Sequence, residues 1–151
     1  MAIELFAHPF SSYCQKAIIA LYEHGVDWTL RMIEPGSEWN AEWEAIWPIR
    51  RFPVLREGGR VVPEASAIIE HLHARHRTAT PLIPDDPDAA VEVRMLDRFF
   101  DHYVSDPQGR IVLNAIRRED QRDPLAEQEA WALLDRAYAW LDARKIGRAH
   151  V

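Results

Sequence analysis

Cysteine is nearly absent: Cys14 stands alone in 151 residues, which excludes an internal disulfide and any multi-cysteine zinc site. Long apolar runs are missing too. Met1-Ala2-Ile3-Glu4 has neither the basic start nor the apolar stretch of a secretory signal, so the expectation is a chain that does not enter a membrane and resides by default in the cytoplasm. Excess positive charge is also lacking. With 18 Lys+Arg against 24 Asp+Glu the formal net charge is −6, there is no electrostatic footprint for a phosphate backbone, and nucleic acid is not expected as a partner. What is present is apolar and aromatic, 48% hydrophobic with six Trp, enough for a packed core in one domain or two small ones.

Period places the first elements. Ile3 to Ala7 alternates like a strand and stops at His8-Pro9; Cys14, Ala17, Ile18, Leu21 and Tyr22 then recur at helical spacing, with Gly25 as the C-terminal cap. A second strand is expected within Asp27 to Ile33, where Trp28, Leu30 and Met32 alternate with polar residues, which makes the opening a βαβ unit. Trp39, Trp43 and Trp47, four apart, line one face of a short helix ended by Pro48, and packing is their expected role. Val54-Leu55-Arg56 and Arg60-Val61-Val62 flank Gly58-Gly59 as a hairpin, and a helix starting near Glu64 and Ser66 turns Ile68, Ile69 and Leu72 inward.

Pro81, Pro84 and Pro87 mark 78–87 as a linker between residues 1–77 and a helical stretch 88–145. Beyond it, Val91 to Tyr103 predicts an amphipathic helix interrupted at Asp106-Pro107 and resumed over Gln108 to Arg118. Asp123 and Pro124 open another helix, whose apolar stripe is expected at Trp131, Leu134, Tyr138 and Leu141. Two or three helices each burying one stripe are too thin to close a core. The final Ile146-Gly147-Arg148-Ala149-His150-Val151 is what one frame of a common sequencing-adapter oligonucleotide encodes before a stop. Residues 146–151 are therefore expected to be an adapter-derived tail on the front of a longer gene product; the alternative is a natural basic tail.

The strand-turn-helix junction His8-Pro9-Phe10-Ser11-Ser12-Tyr13-Cys14 sets small hydroxyls where a helix N-terminus aims unpaired amides. It resembles the turn of the thioredoxin-like fold with the first cysteine of Cys-x-x-Cys replaced by Ser11, which argues against dithiol redox chemistry. The serines themselves and two further stretches extend the likeness. Ser11-x-x-Cys14 is similar to the serine motif of theta-like glutathione S-transferases and Ser11-Ser12 to the serine pair of the zeta class. Trp47-Pro48-Ile49-Arg50-Arg51-Phe52-Pro53-Val54-Leu55 resembles the family's Asn-Pro-x-Gly-x-Val-Pro-x-Leu, and Glu64-Ala65-Ser66-Ala67-Ile68 its Glu-Ser-x-Ala-Ile. In that order on βαβ then ββα, with a proline linker and helices behind, they resemble bacterial cytosolic glutathione S-transferases of the serine type over almost the whole chain.

The resemblance implies an α/β fold: a thioredoxin-like, mixed four-stranded glutathione-binding domain followed by a truncated all-α C-terminal domain. It implies glutathione as co-substrate, a small electrophile, no metal, and a homodimer when full length. Ser11, with Ser12 as substitute, would hold the glutathione thiolate. The Phe52 backbone beside a cis Pro53 would pair with the cysteinyl unit, the amides of Ala65 and Ser66 would hold the γ-glutamyl carboxylate, Arg51 would meet the glycyl carboxylate and Glu64 the ammonium. Departures from the family pattern are Trp47 for asparagine, Arg50 for glycine, Phe52 for valine and Ala65 for the second hydroxyl.

Plainer readings stand beside these. Ser11 and Ser12 also serve as helix caps worth about 1 kcal/mol, Cys14 as a buried apolar thiol, and Arg51 as a surface charge. His71, His73 and His76 lack a shared helical face and carboxylate support, and read as solvated surface rather than a metal site. Two functional alternatives stay open: a non-catalytic glutathione-transferase-like binding or regulatory module, and a glutathione-dependent isomerase suggested by Ser11-Ser12.

Overall fold

The structure is a computed structural model that describes residues 2–144; the tail proposed at 146–151 lies outside them. Strand β1 (Ile3–Ala7), helix α1 (Ser12–Glu23) and strand β2 (Trp28–Met32) form the opening βαβ unit. Helix α2 (Asn40–Ile46), strands β3 (Val54–Glu57) and β4 (Arg60–Pro63), and helix α3 (Ala65–Arg75) follow. The sheet order is β2-β1-β3-β4, with β1 parallel to β2 and antiparallel to β3, and β3 antiparallel to β4. This is the thioredoxin-like arrangement, and a helical region follows it in the sequence.

Local chemistry accounts for the turns. Gly25 takes φ +61 just past α1, where His24 N–H donates to Ala20 O at 2.9 Å, and Gly58 takes φ +58 in the two-residue link between β3 and β4. Leu5, Leu21, Leu55, Ile68 and Leu72 are wholly buried and pack together with Cys14 and Ala17, so α1 and α3 cover one face of the sheet. Each such side chain contributes about 1.5–3 kcal/mol of transfer free energy. On the other face Phe6, Val54 and Ile33 pack with Trp43, and Trp39 and Trp47 lean on the same cluster, so the tryptophan series is packing.

A charged network ties three strands and α2. Glu4 accepts from Arg31 Nε at 2.8 Å and from Arg56 Nε at 2.7 Å, and Arg56 reaches on to Glu42. Burial pushes the Glu4 carboxyl up, but the two guanidinium hydrogen bonds outweigh it and hold the group below its ordinary value.

By contacts the chain divides into residues 1–93 and 94–151. The proline stretch 78–87 therefore belongs to the first unit, where Ile83 is buried, and the division falls inside helix α4 (Pro87–Phe99). The expected interruption at Asp106-Pro107 is not a break. A π-helical stretch, Phe100–Ser105, widens the turn and leads directly into α5 (Asp106–Ile116), with the buried Pro107 in its first turn, where the missing N–H costs little.

Helix α6 (Pro124–Arg144) begins as the sequence predicts, with Ala126 N–H donating to Asp123 Oδ1 at 3.0 Å. Its buried face differs from the expected one. Ala130, Leu134 and Ala137 are buried while Trp131 and Tyr138 are exposed, so small side chains and one leucine, not the bulky rings, make the packed face. No helix among the described residues is long and apolar enough to cross a membrane.

Candidate functional site

Register decides which segments meet. Phe6 pairs with Val54 and Val54 with Pro63, so the end of β1, the start of β3 and the end of β4 share one end of the sheet. The segments running out from there are His8 to Ser12, Arg51 to Pro53, and Glu64 to Ser66. Most candidate residues chosen from sequence thus sit at one end of the sheet, although they lie more than fifty positions apart.

Ser11 is the N-cap of α1, with φ −82 and ψ 127, and its Oγ accepts from Cys14 N–H at 3.4 Å. Its backbone is fixed from both sides: Ser11 N–H donates to His8 O and Gln15 N–H to Ser11 O, both at 3.0 Å. Since the cap uses an oxygen lone pair, the hydroxyl hydrogen remains available as a donor. Ser11 is half-buried; Ser12, the first residue of α1, is exposed. Cys14 is fully buried, and that burial pushes its thiol up, against smaller opposing effects of the His8 backbone and the Ser11 side chain. A thiol so placed is a poor nucleophile.

The Phe52–Pro53 peptide bond is cis. Pro53 is buried and Phe52 half-buried, its ring between His8 (centroids 6.4 Å) and Trp43 (5.9 Å). Phe52 therefore spans the two apolar clusters, a place where the family's smaller valine is replaced by a ring. Arg51 is exposed and has no ion pair among the described residues.

Glu64 is the N-cap of α3 with φ +72 and ψ 128, a backbone state that L-residues rarely adopt. It turns the chain sharply from β4 into α3 and leaves the amides of Ala65 and Ser66 at the start of the helix. Glu64 itself is exposed, whereas Ala65 and Ser66 are buried. Lys16 Nζ donates to Ser66 Oγ at 3.4 Å, linking α1 to the start of α3. Lys16 is not among the residues chosen from sequence. Its position one turn beyond Ser12 was the available signal, but nothing local says that α3 begins beside it.

The histidines differ from expectation. His71 is buried, not solvated, and its Nε2 donates to Glu57 Oε2 at 2.7 Å; His76 Nε2 donates to Glu57 Oε1 at 2.8 Å. The carboxylate support missing in the local sequence comes from the end of β3, and His76 swings round because α3 stops at Arg75. Burial pushes Glu57 up, the hydrogen bonds of His71 and His76 pull it down further, and the balance lies below its ordinary value.

The family model described as Glutathione S-transferase, N-terminal domain, matches residues 5–81. Maleylacetoacetate isomerase of Rattus norvegicus is 26% identical over 121 residues, which is 78% of this chain and 56% of that protein. Glutathione S-transferase theta-3 of Mus musculus is 27% identical over 88 residues, 57% of this chain and 36% of that protein. The chain thus spans about half the length, or less, of these curated relatives. Among solved structures, a glutathione S-transferase from Methylobacterium radiotolerans in complex with glutathione sulfonate superposes with TM-score 0.80 at 26% identity, over 97% of this chain and 68% of that one. With the thioredoxin-like sheet, the capped serine and the α3 turn at one end of it, and the family's N-terminal domain matched over 5–81, this chain belongs to the glutathione S-transferase family.

Proposed function

We propose that the protein from which this chain comes is a glutathione transferase that ionises the glutathione thiol at Ser11 and directs the thiolate at a small electrophile. The observation that carries this reading is the Ser11 hydroxyl at the N-cap of α1, on the same end of the sheet as the buried, Lys16-bonded Ser66.

In this reading the γ-glutamyl carboxylate lies on the amides of Ala65 and Ser66, and the Lys16 ammonium adds its charge to the positive end of α3. Glu64 meets the ammonium of the same residue, the Phe52 backbone pairs with the cysteinyl unit, and Arg51 takes the glycyl carboxylate. The sulfur is then delivered to Ser11. A thiol near 8.5 must fall by about two units to be mostly ionised at neutral pH, or about 2.7 kcal/mol. A hydrogen bond to the charged sulfur supplies about 1.5–3 kcal/mol and the helix N-terminus about 0.3–2 kcal/mol, so the two together suffice. The proton leaves to water, and the thiolate forms a C–S bond while a leaving group departs with its electron pair or an adjacent carbon takes a proton. The same reading carries a homodimer of the full-length protein in the cytoplasm, and no metal at the reacting centre.

A second reading, glutathione-dependent isomerisation, is favoured by the Ser11-Ser12 pair and by the likeness to maleylacetoacetate isomerase. There the thiolate would add to a conjugated double bond, permit rotation and leave again.

An ultraviolet difference titration with glutathione, run on the protein and on Ser11→Ala, tests the proposal. The expected result is a thiolate band at neutral pH that Ser11→Ala shifts up by one to two units, with glutathione affinity kept. An identical titration for the variant overturns Ser11 as the activating group and leaves it a cap; bound glutathione without any thiolate supports a non-catalytic module.

A further inference from the structure

The geometry points to a second site, distinct from the thiol end of the sheet: we propose that Glu57, His71 and His76 bind one divalent transition-metal ion of the zinc type. One ligand atom from each of the three lies within 4.8 Å of the others. Glu57 pairs with Ile3 and Arg60, so it stands at the opposite end of β3 from Pro53.

Three features favour a metal over a purely hydrogen-bonded trio. The donor set is two imidazoles and a carboxylate, which suits zinc and its first-row neighbours and not calcium or magnesium. The side chains of His71 and Glu57 are 7% and 11% exposed, so the donors are held by packing, whereas His76 is 26% exposed and leaves an edge for a water as fourth ligand. His76 is also anchored through its backbone, whose carbonyl accepts from His24 Nδ1 at 2.8 Å at the end of α1.

The change required on binding is small. Tetrahedral zinc at its usual bond lengths separates donor atoms by roughly 3.3–3.5 Å, so the two hydrogen-bonded contacts, at 2.7 and 2.8 Å, open by about 0.5–0.8 Å while the wider donor separation, within 4.8 Å, closes around the ion. Each imidazole moves its proton from Nε2 to Nδ1, which presents the Nε2 lone pair to the ion without net proton release. The ion then joins the end of the β3–β4 hairpin to the end of α3. Glutathione binding at the other end of the sheet does not depend on it.

Zinc titration of the chelator-stripped chain at neutral pH, followed by calorimetry and by the visible absorption of Co2+ as a substitute, tests the site. One ion per chain is expected, with a tetrahedral cobalt spectrum and a melting midpoint that rises with zinc concentration. Loss of an outer partner of a metal ligand costs about 10–100-fold in affinity, so His76→Ala and Glu57→Gln, which remove a ligand, are expected to cost more than about 100-fold. His73→Ala, outside the trio on the same helix, is expected to change nothing. His76 is half-buried and Glu57→Gln nearly isosteric, so folding of these variants, checked by circular dichroism, keeps the test decisive, whereas His71→Ala would also empty a buried position. Absence of zinc binding by the folded chain, or equal binding by His76→Ala and Glu57→Gln, overturns the proposal. Glutathione affinity, measured in parallel, reports the proposed function separately.

Discussion

The two compact units of this chain reach stability by different means. The first, residues 1–93, draws its core from distant parts of the sequence: Leu5, Leu55, Ile68 and Leu72 all have zero exposure, although they span almost seventy positions. The described part of the second buries mainly small or polar groups, among them Ala130, Ala137, Pro107 and Asn114, and leaves Val112, Leu113, Ile116 and Trp131 more than half exposed. Its helices are cross-linked by polar contacts instead. Asn114 Oδ1 accepts from Asp123 N–H and Asn114 Nδ2 donates to Glu127, both at 2.8 Å, joining the end of α5 to the start of α6. The chain thus combines a sheet unit closed by apolar burial with a helical unit held by local helix formation and a few polar bonds, and the free energy of opening is expected to differ between them.

The largest effect that would break this contrast is a cavity in the first unit. Leu55→Ala removes a side chain with no exposed surface, packed between α1 and α3, and is expected to cost about 2–5 kcal/mol. Urea unfolding monitored by hydrogen exchange checks it: amides of β1 and β3 should lose protection, and those of α5 and α6 should lose much less. Equal loss in both would mean that the units unfold as one.

The same contrast sets what the sequence made legible. β1, α1, the Gly58-Gly59 hairpin and the start of α6 follow from residues within one turn or strand of each other, where alternation, glycine and capping chemistry act alone. Ser11 and Ser66 were likewise visible as a cap and a helix start, though the proximity of Lys16 to Ser66 depends on how α3 packs against α1. Glu57 was invisible as a partner of His71 and His76, because the pairing rests on the register of the β3–β4 hairpin and on the point where α3 ends. The buried face of α6 was misplaced for a related reason. Hydrophobicity favoured Trp131 and Tyr138, but which face of a helix is buried depends on side-chain volume as well, and here Ala130 and Ala137 take the buried places. The π-helical turn before Pro107 had no local signal beyond the proline itself, which ordinarily predicts a break.

Acid sharpens the comparison by a smaller amount. Glu4 and Glu57 both have carboxyls held below the ordinary value of 4.5, and both lie in the first unit. A folded value below the unfolded one means that the unfolded chain binds the proton first. The stabilisation is therefore fully present above pH 4.5 and is lost as pH falls through the folded values. Protection of the sheet amides is expected to decline over that acid range before protection of α5 and α6. Glu4→Gln removes one titrating group and should flatten the decline; an unchanged acid limb would assign it elsewhere.

The smallest expected effect lies on the exposed face of the second unit. Ile116 is 74% exposed at the last position of α5, so Ile116→Gln removes little buried apolar area and exchanges a β-branched residue for a good helix former. Its cost in a urea melt of this chain should stay within about 0.5 kcal/mol, the range of surface substitutions. The value of so small a number is that it is paired with Leu55→Ala: both remove an aliphatic side chain from a regular element, and burial is the main difference between the two sites. Were Ile116→Gln to cost as much as a core truncation, Ile116 would have to be covered in solution, and the helical unit would owe its stability to apolar burial after all.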